Sequence, residues 1–261
     1  MVNLFIANQL QIPYTMKKVY AFFLSAIISS TLIFTVVGCK LDKPIFPDGA
    51  DSLKTNGSTK PPTINTADSY QPTTKGTYWK YTAKITDPFT KPPVDTTELR
   101  STTMDGTTIT INNKLYYKAT STVNSMTGYT YFYYGNNTYS YRSNTINPGS
   151  VIEYVYLKDN VDIGITWTAP ITDDGKLGGT PAQITGQIME KNITRTISGK
   201  TFTNVTHTQL LLQYDTGAGF TTYQTMDYYI AKGVGIIQIS TANKESSTTK
   251  SDAPITDYSI K

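Results

Sequence analysis

The chain has 261 residues, 23 Lys and Arg against 19 Asp and Glu, a formal charge of +4, one His and one Cys. That near-neutral balance lacks the basic density of a nucleic-acid face, and a single thiol excludes an internal disulfide or a thiolate metal cage. Twenty Tyr, with plentiful Thr and Ile beside only four Glu, favour strands over helices.

Residues 1–15 precede Met16-Lys17-Lys18, a normal start for a secretory signal, and are set aside as a mis-assigned start. Residues 16–38 read as a signal peptide: Lys17 and Lys18 form a basic n-region, and Val19 to Val37 carry no charge. An uncharged run of this length could also nearly span a hydrocarbon core of roughly 30 Å. A span, however, needs neither the terminal Gly38-Cys39 nor a lone thiol.

Val36-Val37-Gly38-Cys39 resembles the lipobox of bacterial lipoproteins. The resemblance implies diacylation of the Cys39 thiol, cleavage before it and acylation of the new amine. Each buried CH₂ contributes about 0.8 kcal/mol, and two or more chains anchor stably. Lys40 stands where Asp is an inner-membrane retention signal in many lipoproteins, so the resemblance points to the outer membrane, on its periplasmic or surface side. Loss of the signal peptide lowers the formal charge by two.

Residues 39–72 are rich in Pro, Asp, Ser, Thr, Asn, Gly and Lys and read as a lipidated N-terminus and flexible tether. Alternation of apolar and polar residues begins near Lys75, and residues 73–261 suffice for one all-β domain. Candidate strands follow at Asp95–Met104, Thr107–Ile111, Lys114–Val123, Gly128–Tyr134, Asn137–Ser143 and Val151–Leu157. They continue at Ala182–Glu190, Asn192–Ile197, Val205–Tyr214, Thr222–Ala231 and Val234–Thr241. Asp105-Gly106, Asn112-Asn113, Gly135-Asn136 and Ser198-Gly199 supply turn signals. The expected fold is mainly β: a curved antiparallel sheet, as a half-barrel or sandwich.

Gly76-Thr77-Tyr78-Trp79 returns as Gly164-Ile165-Thr166-Trp167, and Ile111-Asn112-Asn113-Lys114 as Ile197-Ser198-Gly199-Lys200. This echo predicts two similar halves, 76–163 and 164–251, sharing one core. These segments, with Gly199-Lys200-x-Phe202-x-Asn204-Val205 and Ala231-Lys232-Gly233-Val234-Gly235, resemble a pattern of uncharacterised β-rich envelope lipoproteins of Bacteroidetes-type bacteria. That resemblance implies a curved antiparallel domain and an envelope address, and no catalytic residue.

Few residues carry chemistry. His207 lies mid-strand with no second imidazole, so it reads as structural. Most Asp sit in turn contexts such as Asp173-Asp174-Gly175, and EF-hand spacing is absent. Lys232-Gly233-Val234-Gly235 lacks a Walker spacing and reads as a bend between strands.

The tyrosines remain. Alternation through the Gly128–Arg142 hairpin puts Phe132, Tyr134, Tyr139 and Tyr141 on a core face. Tyr129, Tyr131, Tyr133, Ser140 and Arg142 fall on an exposed face, where the first three could stack on sugar rings. The sequence thus predicts a non-catalytic lipoprotein with no cofactor or metal. Its partners would be the membrane, through acyl chains, and a glycan, lipid or envelope protein. A purely structural envelope component and an Asp/Glu-dependent hydrolase are the alternatives.

Overall fold

The computed structural model describes residues 66–87, 94–143, 150–243 and 250–261; the expected signal peptide (16–38), Cys39 and the expected tether as far as residue 65 lie outside them. Among the described residues, thirteen strands follow a 3-10 turn at Thr66–Asp68. The first six are β1 (Tyr78–Asp87), β2 (Val94–Ile111), β3 (Lys114–Val123), β4 (Met126–Gly135), β5 (Thr138–Ser143) and β6 (Ile152–Lys158). The rest are β7 (Thr166–Pro170), β8 (Lys176–Leu177), β9 (Thr180–Ile197), β10 (Lys200–Asp215), β11 (Phe220–Ala231), β12 (Gly235–Asn243) and β13 (Lys250–Ser259).

Every registered strand pair is antiparallel, and the sheet runs β6-β5-β4-β3-β2-β1-β13-β12-β11-β10-β9-β7, with β8 joined to β9 alone. The last strand therefore returns beside the first, from Tyr78 opposite Ser259 to Thr86 opposite Lys250. Twelve strands in this order make an up-and-down barrel that is closed except between β6 and β7. That seam is held by single bonds. Glu153 N donates to Ile171 O (2.8 Å), Trp167 Nε1 to Val155 O (3.3 Å) and Thr208 Oγ1 to Tyr156 O (2.8 Å).

The two halves repeat local devices. Gly76 and Gly164 both hold a positive φ, 81° and 85°, which lets the chain turn sharply before each tryptophan. Their N–H groups donate at 3.0 Å to matching carbonyls, Met104 in β2 and Ile188 in β9. Each indole N–H caps a carbonyl across the curvature, Trp79 at Val234 O (2.6 Å) and Trp167 at Val155 O. Both long strands, β2 and β9, have 18 residues. Both end in two-residue turns with two positive φ angles, at Asn112-Asn113 and Ser198-Gly199, the type I′ geometry that matches strand twist.

Cross-strand partners share a face, so register fixes what points inward. Trp79, Met104, Ala119, Phe132, Ile237 and Ile255 belong to one buried core. Residues 66–77 cross one end of the barrel. Ser69 O accepts from Gly233 N (2.8 Å), Gln71 Oε1 accepts from Tyr156 Oη (3.0 Å), and Tyr70 meets Tyr139 edge-on at 5.8 Å. Packing thus begins before residue 72, because Ser69 and Gln71 satisfy buried polar groups rather than apolar surface. We call this the plugged end; strands β1, β11 and β13 carry the fold to the other.

Some local expectations differ from the structure. Asp105-Gly106 is no hairpin: β2 runs through it as an irregularity between Met104 and Thr108, and Asp105 Oδ1 accepts from Thr120 N (3.1 Å) and Oγ1 (3.0 Å). Asn192, at φ 57°, likewise bends β9 without ending it. The β4–β5 turn uses Asn136-Asn137 rather than Gly135-Asn136. Strands β7, β8 and β13 lie outside the expected set.

Candidate functional site

The exposed tyrosine strip comes first. Tyr129, Tyr131 and Tyr133 share the outer face of β4, opposite Thr120, Lys118 and Tyr116. Tyr129 is 39% exposed, but Lys118 Nζ sits 3.8 Å from its ring centroid and occupies one face as a cation–π contact. Tyr131 and Tyr133 are half-buried. Tyr133 leans against Tyr116 at 44° (5.5 Å), and its hydroxyl lies where a side chain on Gly135 would stand. The three rings share the outer face of β4.

Further along that face the expected exposure fails: Ser140 and Arg142 are buried. The loop after β7 crosses the seam and covers them. Arg142 grips Asp173 with two bonds (2.8 and 2.7 Å) and reaches Glu153 Oε2 (3.1 Å). Glu153 Oε1 accepts from Ser140 Oγ (2.7 Å) and Tyr116 Oη (2.9 Å). The hydrogen bonds from Arg142 hold the Asp173 carboxyl below its usual range, and the same bonds push the guanidinium further up. Asp174 accepts from Thr172 Oγ1 (2.7 Å) and Lys176 N (3.1 Å), so both acids of this turn are spent on structure. Among the described residues no group of three His, Cys, Asp or Glu converges for a metal.

A second outer cluster surrounds His207. Its Nδ1 meets Glu190 Oε2 (3.1 Å) and its Nε2 meets Asp227 Oδ1 (2.9 Å), so neither nitrogen is left for a hydroxyl nucleophile. The ring stacks on Tyr229 (4.3 Å), and Arg195 covers the same tyrosine at 3.5 Å. Burial pushes the Asp227 carboxyl up, but hydrogen bonds from His207 and Gln209 outweigh it and hold the group low.

The inner face carries the most suggestive arrangement. Inward-facing residues near the plugged end are buried, whereas those toward the opposite end, among them Ile85, Glu98, Arg100, Gln224, Thr241 and Ser251, are half-exposed. The barrel therefore presents an accessible concave face at that end. Arg100 Nε lies 2.5 Å from Glu98 Oε1, with side chains 35% and 23% exposed. Beside them Thr102 Oγ1 and Ser121 Oγ are 3.1 Å apart, and Ser121 donates to Thr130 Oγ1 (2.8 Å).

The wall behind is aromatic. Tyr141 and Tyr228, from β5 and β11, join hydroxyl to hydroxyl across the barrel at 2.8 Å. Tyr154 and Tyr156 stand 5.4 and 5.9 Å from Tyr141, ring to ring. Burial pushes the Tyr141 hydroxyl up to about 12, offset by the bond to Tyr228 and the charge of Arg100. Burial likewise raises Tyr154, Tyr156 and Tyr228. Glu98 and Arg100 escaped the sequence reading, yet Glu98-Leu99-Arg100 carries a signal: two charges two residues apart in a strand share a face and leave the leucine on the other.

No protein-family model matches the chain, and no curated protein matches it. Two solved structures are similar. One, from Bacteroides fragilis, is described as an exported protein with a YmcC-like fold; at 12% identity the match covers 72% of this chain and 97% of that one, with a TM-score of 0.45. The other is described as a lipoprotein from Parabacteroides distasonis, with 13% identity, 73% and 98% coverage and a TM-score of 0.46.

Proposed function

We infer that this chain is a lipid-anchored protein of the cell envelope, held in the outer membrane by acyl chains on Cys39, whose β-barrel binds a glycan without acting on it. The address rests on Lys17 to Cys39, which supply a basic start, an uncharged run and a lipobox in order. The observation that carries the binding role is the juxtaposition, on the inner face, of the half-buried Tyr141 with the Glu98–Arg100 and Thr102–Ser121 pairs. Sugars present an apolar ring face and a rim of hydroxyls, and such surfaces meet both. The non-catalytic reading is supported by the duties already assigned: Glu153 and Asp173 close the seam, while Glu190 and Asp227 clamp His207.

The experiment is a glycan array probed with the full chain in detergent, alongside density-gradient fractionation of the cells that make it. Retention on defined glycans with unchanged glycan masses, and co-sedimentation with outer membrane, are the expected results. Release of shortened sugars would replace binding with hydrolysis, and retention on nothing would remove the binding role.

A further inference from the structure

Strand β2 inverts the apolar-in, polar-out alternation at residues 98–100. Leu99 faces water at 62% exposure, while Glu98 and Arg100 stand opposite Ala83 and Tyr81 on the concave face. Turning a leucine outward and two charges inward costs stability. Positions where local pattern and fold disagree are where function is expected. The ion pair is also open: Arg100 reaches Glu98 through Nε, and among the described residues its terminal nitrogens make no hydrogen bond.

We propose that this concave face, at the end remote from the plug, binds neutral sugar residues, with Arg100 and Glu98 reading a vicinal diol. The inference rests on the glycan reading above and adds its site and chemistry. A diol needs a donor and an acceptor side by side, and the guanidinium and carboxylate supply both from one strand face. An anionic sugar fits worse, because the Glu98 carboxylate already lies against the guanidinium and repels a second one. Tyr141 is half-buried at the floor, and its hydroxyl bond to Tyr228 fixes it, so little side-chain freedom is lost on binding. Thr102, the next inward position from Arg100 toward the plug, adds a hydroxyl deeper in the face.

The test is calorimetric titration of the full chain in detergent with linear hexamers of glucose, mannose and galactose, and with a uronic-acid hexamer as the anionic arm. At least one neutral hexamer binds, the uronic hexamer binds more weakly, and Glu98→Gln with Arg100→Gln lowers affinity by about tenfold or more. Tyr131→Ala, on the outer face, leaves it unchanged. Should the double variant lose its β-sheet signal, Glu98→Gln alone carries the same expectation. Full affinity in the inner-face variants with loss in Tyr131→Ala overturns this site while the glycan reading stands. Preference for the uronic hexamer overturns the diol chemistry, and silence from every oligosaccharide overturns both the site and the glycan reading.

Discussion

Arg142 holds both oxygens of Asp173, at 2.8 and 2.7 Å, across the gap between β6 and β7 in the ring of paired strands. Arg142 lies on β5 and Asp173 in the loop after β7, so the pair spans the seam that backbone pairing leaves open. Removing the arginine also takes the nearer of two cations from Glu153, whose side chain is only 12% exposed, and leaves it Lys114 at 3.5 Å. Arg142→Met should therefore cost about 3 kcal/mol in urea melts. Asp173→Asn, at a largely exposed carboxylate, should cost about 1 kcal/mol or less. Equal losses from the two would mean that the seam is held by something else.

The same pair gives an acid dependence. Asp173 has a lowered carboxyl in the folded chain, so its contribution is present above the ordinary value of 3.8 and fades as pH falls through the folded value. The difference in melting temperature between wild type and Asp173→Asn should be steady at pH 5 to 7, taken as roughly the range where carboxylates are charged, and shrink below it. A difference that grows on acidification contradicts the pairing.

Alkali should act through the tyrosines. Tyr81, Tyr139, Tyr141, Tyr154, Tyr156 and Tyr228 are all raised from 10.0, with burial as the leading cause. Folding then favours their protonated forms: their contribution is complete below pH 10 and lost as pH climbs toward the folded values. Tyrosinate absorbance should have a late component that rises together with loss of the β-sheet circular dichroism. Titration of every tyrosine near 10 with the sheet intact would show that the aromatic wall is open to water.

Gly186 has no room for a side chain, because a Cβ there would stand only 2.3 to 2.6 Å from atoms of the Trp167 ring. Gly186→Ala should destabilise by about 1 to 3 kcal/mol, the cost of overpacking, and Trp167→Phe added to it should recover part of that loss. Additive losses in the double variant would separate the two residues.

Phe132 and Tyr131 test the faces of β4. Phe132 is 7% exposed and packs 6.1 Å from Trp79, while Tyr131 is half-buried on the outer side. Phe132→Ala should cost about 3 to 5 kcal/mol and Tyr131→Ala clearly less. The reverse order would turn the strand over.

How far the sequence reveals this molecule depends on the range of each interaction. Period-two alternation is local, so Phe132 and Tyr141 could be placed on the inner face of one hairpin from the sequence alone. Asp105-Gly106 misleads because the same dipeptide serves a turn or an irregularity, and only the distant Thr120 decides. Strand β13 contains Pro254, which argues against a central strand; its place between β12 and β1 is set by partners more than a hundred residues away on one side. The burial of Arg142 was hidden for the same reason, since its cover arrives from Asp173 after β7. Of the concave face, the inverted Glu98-Leu99-Arg100 pattern was readable. The approach of Tyr141 to Tyr228, 87 positions apart, was not.

Mass spectrometry of the intact protein, extracted from membranes with detergent, bears most directly on its anchoring. The mature chain should begin at Cys39 and carry at least two acyl chains, and Cys39→Ala should yield an unmodified chain that no longer stays with the membrane. An unacylated Cys39, or a membrane-bound protein that still carries residues 16–38, would contradict the lipid anchor and with it the outer-membrane address.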